Sequence, residues 1–96
     1  MFKNIDWFKK SIAPNLEGYE ILYKFFENGD FGSLNQVEFN SEKMGGVIDF
    51  WSTGWLGIHL IDYLKGDELL NVFLEPNENS AKEKAWEDLQ NFLNKP

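Results

Sequence analysis

His59 is the one side chain in this sequence whose intrinsic pKa lies near neutrality. Its chain neighbourhood holds the partners that acid–base chemistry would recruit: Asp49, Ser52 and Asp62. A general base needs a nucleophile or substrate proton within hydrogen-bond reach, and no spacing among these residues matches a catalytic triad. Gly45-Gly46 lacks the spacing of a phosphate-binding loop. The chain has no cysteine, which removes disulfides, thiolate chemistry and cysteine–zinc sites. One histidine without a carboxylate cluster supplies too few ligands for a transition metal. The expectation is no enzyme, no metal site and no cofactor. A lone strand histidine is far more often structural or an interface contact than a catalyst.

These residues sit on a segment, Gly46 to Tyr63, that reads as a β-hairpin with two unlike faces. One parity carries Ile48, Phe50, Leu56, Ile58 and Leu60; the other carries Asp49, Trp51, Trp55 and His59. Ser52-Thr53-Gly54 fits a three-residue loop, a type I turn closed by glycine in the left-handed region. That loop places Trp51 opposite Trp55, Asp49 opposite Gly57 and Val47 opposite His59. A two-residue loop would mix the faces, and a buried face fixes register. Asp49 and Asp62 then fall on opposite parities and share no site. Asp62 has core parity but lies near the strand end, where it reaches water or pairs with Lys65.

The rest of the chain supplies the elements around this hairpin. Ile5, Phe8 and Ile12 form one helical stripe over residues 3–12, with Trp7 at its edge, and Pro14 stops the helix. Residues 18–27 alternate as a first strand, and Asn28-Gly29-Asp30 signals a turn. Phe31, Gly32 and Ser33 lead into a second strand, 34–40, with Val37 and Phe39 inward and Glu38 outward. Gly45-Gly46 starts or bulges the third strand, and the fourth runs from Trp55 to Leu64. Leu64-Lys65-Gly66 reads as a second three-residue turn, into a fifth strand over 68–75. There Leu70, Val72 and Leu74 join the apolar face. Leu69, Asn71, Phe73 and Glu75 join the mixed face, Asn71 opposite His59 and Glu75 opposite Trp55. Pro76 ends the sheet. Ser80-Ala81-Lys82-Glu83 spells a capping box, and the helix after it carries Ala81, Ala85, Leu89, Phe92 and Leu93 on one face. The expected fold is α+β: an N-terminal helix, an antiparallel meander of about five strands and a C-terminal helix. Both helices share one sheet face and leave the mixed face largely uncovered.

The 96 residues fit a single domain spanning 1–96, long enough to bury a core without staples. No apolar run approaches the roughly 20 residues of a membrane helix. Met1 to Trp7 lacks the apolar stretch of a signal peptide, so the expected location is cytoplasmic. Nine basic residues against 16 acidic give a net charge of −7, and all nine are lysines. The absence of arginine weighs against nucleic-acid binding, while an acidic surface steers a basic partner. A charge of this size serves solubility equally well.

Gly46-Val47-Ile48-Asp49-Phe50-Trp51, Gly54-Trp55, Leu70-Asn71-Val72-Phe73-Leu74-Glu75-Pro76 and the C-terminal helix together resemble the small acidic immunity proteins encoded beside bacterial toxins, especially those of contact-dependent growth inhibition systems. The resemblance spans about two-thirds of the chain. It implies a cytoplasmic inhibitor that binds a cognate toxin domain, commonly a nuclease, and blocks its active site or substrate surface. On that reading Asp49, Trp51, Trp55, His59, Asn71 and Glu75 form the partner-binding face. An acidic footprint at Glu68, Glu75 and Glu78 is the fallback. Two readings compete with it: a small ligand-binding or enzymatic domain using the sheet face as a pocket floor, and an acidic homodimer that hides Trp51 and Trp55.

Overall fold

Asn4 starts the first helix: its side-chain oxygen accepts from the Trp7 amide at 3.1 Å, capping α1 (Ile5–Ser11). The computed structural model describes residues 3–94, so the expected 1–96 domain and the reading of the leading segment extend past the described residues. Pro14 sits inside a 3-10 turn, Ala13–Asn15, that directly continues the helix end. Five strands follow: β1 (Glu20–Gly29), β2 (Gly32–Asn40), β3 (Met44–Trp51), β4 (Leu56–Asp62) and β5 (Asp67–Leu74), then α2 (Asn79–Leu93). They form one open antiparallel sheet in sequence order, β1-β2-β3-β4-β5. The fold is α+β, as the alternation predicts.

Both helices cover the same face. Phe8 of α1 meets Tyr23, Phe39 and Phe50 on β1, β2 and β3. Trp86 of α2 stacks on Phe50 at 5.7 Å and takes the edge of Trp7 at 4.8 Å. Beneath them lie Val37, Phe39, Ile48, Ile58 and Leu60, all essentially inaccessible. These are the inward parities of the paired strands, with Val37 opposite Ile48 and Ile48 opposite Ile58.

The β3–β4 turn has the expected length. Gly54, at φ +99°, donates its amide to the Trp51 carbonyl at 2.9 Å, and the Trp51 amide reaches the Trp55 carbonyl at 3.1 Å. Val47 faces His59 and Asp49 faces Gly57.

The next turn differs. In place of a three-residue loop, four residues, 63–66, join Asp62 to its partner Asp67, and the register shifts so that Leu69 bulges between Glu68 and Leu70. The cause is Asp62, whose carboxylate accepts from the amides of Leu64 and Lys65 at 2.9 and 3.3 Å, closing the loop as an Asx turn. Asp62 therefore pairs with the Lys65 backbone rather than its ammonium. Beyond the bulge the expected register returns, with Asn71 opposite His59. Strand β5 stops at Leu74, so Glu75 is not paired across from Trp55.

The capping box does not form. Helix α2 begins at Asn79, two residues early, with Glu78 at the N-cap and no side-chain cap bond. Glu83 instead takes Lys3 at 2.7 Å, and the Glu78 carboxylate accepts from the Glu75 amide at 2.7 Å. The buried stripe of α2 is Ala85, Trp86 and Leu89, while Ala81 is exposed.

Candidate functional site

The face away from the helices is a patterned surface with an aromatic end and a polar middle. At the aromatic end, the backbones of Trp51 and Trp55 are partners, but their rings meet through a third residue. Phe31, at the tip of the β1–β2 hairpin, folds back onto this face and touches Trp51 at 5.4 Å, Trp55 at 4.7 Å and Phe73 at 5.5 Å between ring centroids. Trp55 and Phe73 stack at 4.9 Å. The two turns are tied together: Thr53 donates its hydroxyl to the Phe31 carbonyl, the Ser33 amide donates to Ser52 Oγ at 2.9 Å, and the Ser52 amide donates to the Ser33 carbonyl at 2.8 Å. Trp51 is thus half-buried by its own chain, and its indole N–H is enclosed without an acceptor. Phe73 remains exposed.

The polar middle is a set of short cross-strand links. Gln36 donates to Asp49 at 2.9 Å, and Lys24 pairs with Glu38 at 3.1 Å. Glu68 accepts from Asn71 Nδ2 at 3.2 Å and lies 3.0 Å from His59 Nε2. One carboxylate thereby gathers both expected residues, His59 and Asn71. Beside them a shallow depression of about 280 Å³ is floored by Gly45 and Val47 and rimmed by Glu38, Asn40, His59 and Tyr63. The Tyr63 hydroxyl donates to Asn40 across Gly45.

Of the six expected contact residues, Asp49, Trp51, Trp55, His59 and Asn71 share this face, and Glu75 lies past the end of β5. Phe73 joins them as parity expects, while Phe31 and Glu68 complete the surface and escape a reading by parity. Glu68 has core parity by simple counting, and only the bulge turns it outward. An aromatic residue immediately after Asn28-Gly29-Asp30, where turns favour small polar side chains, was the available signal for Phe31.

Ser52 and His59 cannot act together. Trp51, which precedes Ser52 in the chain, and Val47, the cross-strand partner of His59, are four residues apart on β3, about 13 Å at roughly 3.3 Å per residue. Among the described residues no cluster of three or more histidine, aspartate or glutamate side chains is placed to hold a metal. No described helix is long and apolar enough to cross a membrane.

A larger cavity, about 630 Å³, opens at the turn end of the helix-covered face, between Phe50 and Leu56 of the sheet and Trp86 of α2. Lys3, Lys82, Glu83 and Asn35 line it. Both lysines are engaged, Lys3 by Glu83 and Lys82 by the Gly54 and Pro76 carbonyls at 2.7 and 3.0 Å.

No family model, curated protein or solved structure matches this chain.

Proposed function

We propose that this chain is an immunity protein: a binding protein that occludes the active site or substrate surface of a cognate toxin domain, a basic nuclease domain above all, through the open face of its sheet. It would act in the cytoplasm, where an incoming nuclease meets its substrate. The observation that supports this reading is that no described element covers the open face, which carries a packed aromatic cluster at one end and polar and acidic groups along its middle. Protein interfaces combine the same two parts, aromatic anchors and polar groups bordering them. Asp49, Glu38 and Glu68 on this face, within a net charge of −7, favour a basic partner. The likeness of Gly46–Trp51 and Leu70–Pro76 to immunity proteins supports the same partner.

The test uses the toxin domain encoded beside this gene, purified as a catalytically dead variant. Binding should be tight, and association should slow as salt rises while dissociation changes little. Phe73→Ala should weaken affinity about thirtyfold, the loss of roughly 2 kcal/mol typical of an anchor, while the circular dichroism stays native and the melting temperature falls only by what its ring contacts with Trp55 and Phe31 contribute. Unaltered affinity in this variant would remove the open face from the interface.

The 630 Å³ cavity favours a second reading, a small-ligand domain, because its size falls in the range of ligand pockets. Its floor is the helix-covered side of the sheet, not the mixed face. A metabolite-library thermal-shift screen that raises the melting point of the native chain but not of Asn35→Leu would favour it.

A further inference from the structure

The two edges of the sheet are unlike. The β5 edge begins with Asp67 and Glu68 and is distorted by the bulge at Leu69, two of the devices that keep an edge from pairing with another chain. The β1 edge carries Glu20, Lys24 and Glu27, but no bulge interrupts it from Glu20 to Phe26. At ten residues β1 is the longest strand, it contains no proline, and its register with β2 is regular from Glu20 to Phe26, with the irregularity confined to its turn end. Four of the seven large hydrophobic side chains exposed among the described residues fall within five consecutive positions of this strand: Leu22 at 52%, Tyr23 at 40%, Phe25 at 61% and Phe26 at 47%. Apolar side chains on both faces of an unpaired edge call for an extended strand as partner.

We infer that β1 is a dimerisation edge, on which a second copy of this chain adds its own β1 antiparallel to form one continuous ten-stranded sheet. The strand is self-complementary about Lys24. Centring the two-fold axis there places Tyr23 opposite the second copy's Phe25 and Leu22 opposite the second copy's Phe26, each pair occurring twice. Such aromatic and apolar pairs are the stabilising unit of a sheet. The acids avoid one another: Glu20 faces the second copy's Asn28, and Glu27 faces the second copy's Ile21. The two Lys24 residues would face each other at the centre, but each is drawn toward β2 by Glu38 at 3.1 Å, so the centre holds two neutralised pairs. A register shifted by two residues in one direction sets Glu20 against the second copy's Phe26, and in the other sets Glu27 against the second copy's Tyr23. The inference is drawn from the edge of β1 and not from the toxin reading, although Lys24 and the hairpin tip belong to the open face as well.

Sedimentation velocity on the purified chain alone, from about 1 µM to about 1 mM, spans weak self-association. The mass should rise toward twice the 11.2 kDa chain. Added salt should tighten the dimer, because it screens two bodies of −7 charge, the opposite of its effect on a basic partner. Phe25→Glu, at an exposed position, should keep the circular dichroism and melting point but raise the dimer Kd at least tenfold. The cysteine-free chain allows a register test by single-cysteine variants. Lys24→Cys should cross-link fastest under mild oxidation, since only that position faces itself, with Tyr23→Cys and Phe26→Cys slower. A single-chain mass across the whole range, a dimer that survives Phe25→Glu, or faster cross-linking of Phe73→Cys would overturn the inference. A monomer whose Phe25→Glu variant loses toxin affinity would assign the edge to a toxin strand instead.

Discussion

Phe31→Ala isolates the contact that the hairpin tip makes with the open face. Phe31 is largely covered, by Trp51, Trp55 and Phe73. A phenylalanine buries roughly 150–250 Å² when enclosed, and truncation here forfeits roughly 120 Å² of that, about 3 kcal/mol at ~25 cal/mol per Å². Residual compactness of the denatured chain trims this to about 2 kcal/mol. Ring–ring attraction of about 0.5–1.5 kcal/mol per pair raises it again, for a total of about 2–4 kcal/mol. Urea unfolding followed by tryptophan fluorescence reads both consequences. The midpoint should fall by about 1–2 M for a domain of this size, and native emission should shift to the red as Trp51 and Trp55 gain water. A change under about 0.5 kcal/mol with unaltered emission, the behaviour of an ordinary surface position, would show that the hairpin tip does not rest on the tryptophans in solution.

Other perturbations test the frame around the site. Leu89 is fully buried, and Leu89→Ala should cost about 2–5 kcal/mol by denaturant melts. A Cβ on Gly46 would lie 2.6 Å from Phe39 Cζ and 2.8 Å from the His59 carbonyl oxygen, so Gly46→Ala should destabilise by about 1–3 kcal/mol. At Gly45 the added methyl meets mainly the Tyr63 and Asn40 side-chain ends, so Gly45→Ala should instead displace the Tyr63 hydroxyl, visible by NMR, at a smaller cost in the same melts. Ser80→Ala should change stability by less than about 0.5 kcal/mol, in contrast to the ~1 kcal/mol of a working N-cap, because Ser80 stands inside the helix rather than at its cap.

The sheet was legible because one constraint dominated it. Ile48, Phe50, Leu56, Ile58 and Leu60 admit one shared face only if the loop between them is three residues long, and Gly54 supplies the left-handed residue that this loop needs. The same reasoning failed one turn later, since apolar parity says nothing about a carboxylate that closes a loop from its side chain, as Asp62 does. The resulting bulge turned Glu68 toward His59, and with it went the full composition of the polar patch. The capping box failed through long-range competition. Its Glu83 found an ammonium, Lys3, that a local motif cannot see. Trp86 is not among the residues that helical counting puts on the core stripe, yet two aromatic partners, Trp7 and Phe50, bring it inside.

The shared helical layer also sets the order of assembly. Each strand pairs with its immediate successor, so the sheet can zip up in the sequence in which a ribosome delivers it. The layer above cannot. Phe8 can settle on β1 to β3 once they pair, but Trp7 rests on Trp86 and Lys3 meets Glu83 across 80 positions, so the contacts between the two helices must wait for the last. Local hairpins form early and the long loop closes late. In the interval Ile58, Leu60 and Val72 stand bare over half the sheet, the kind of surface that chaperones hold and proteases sample.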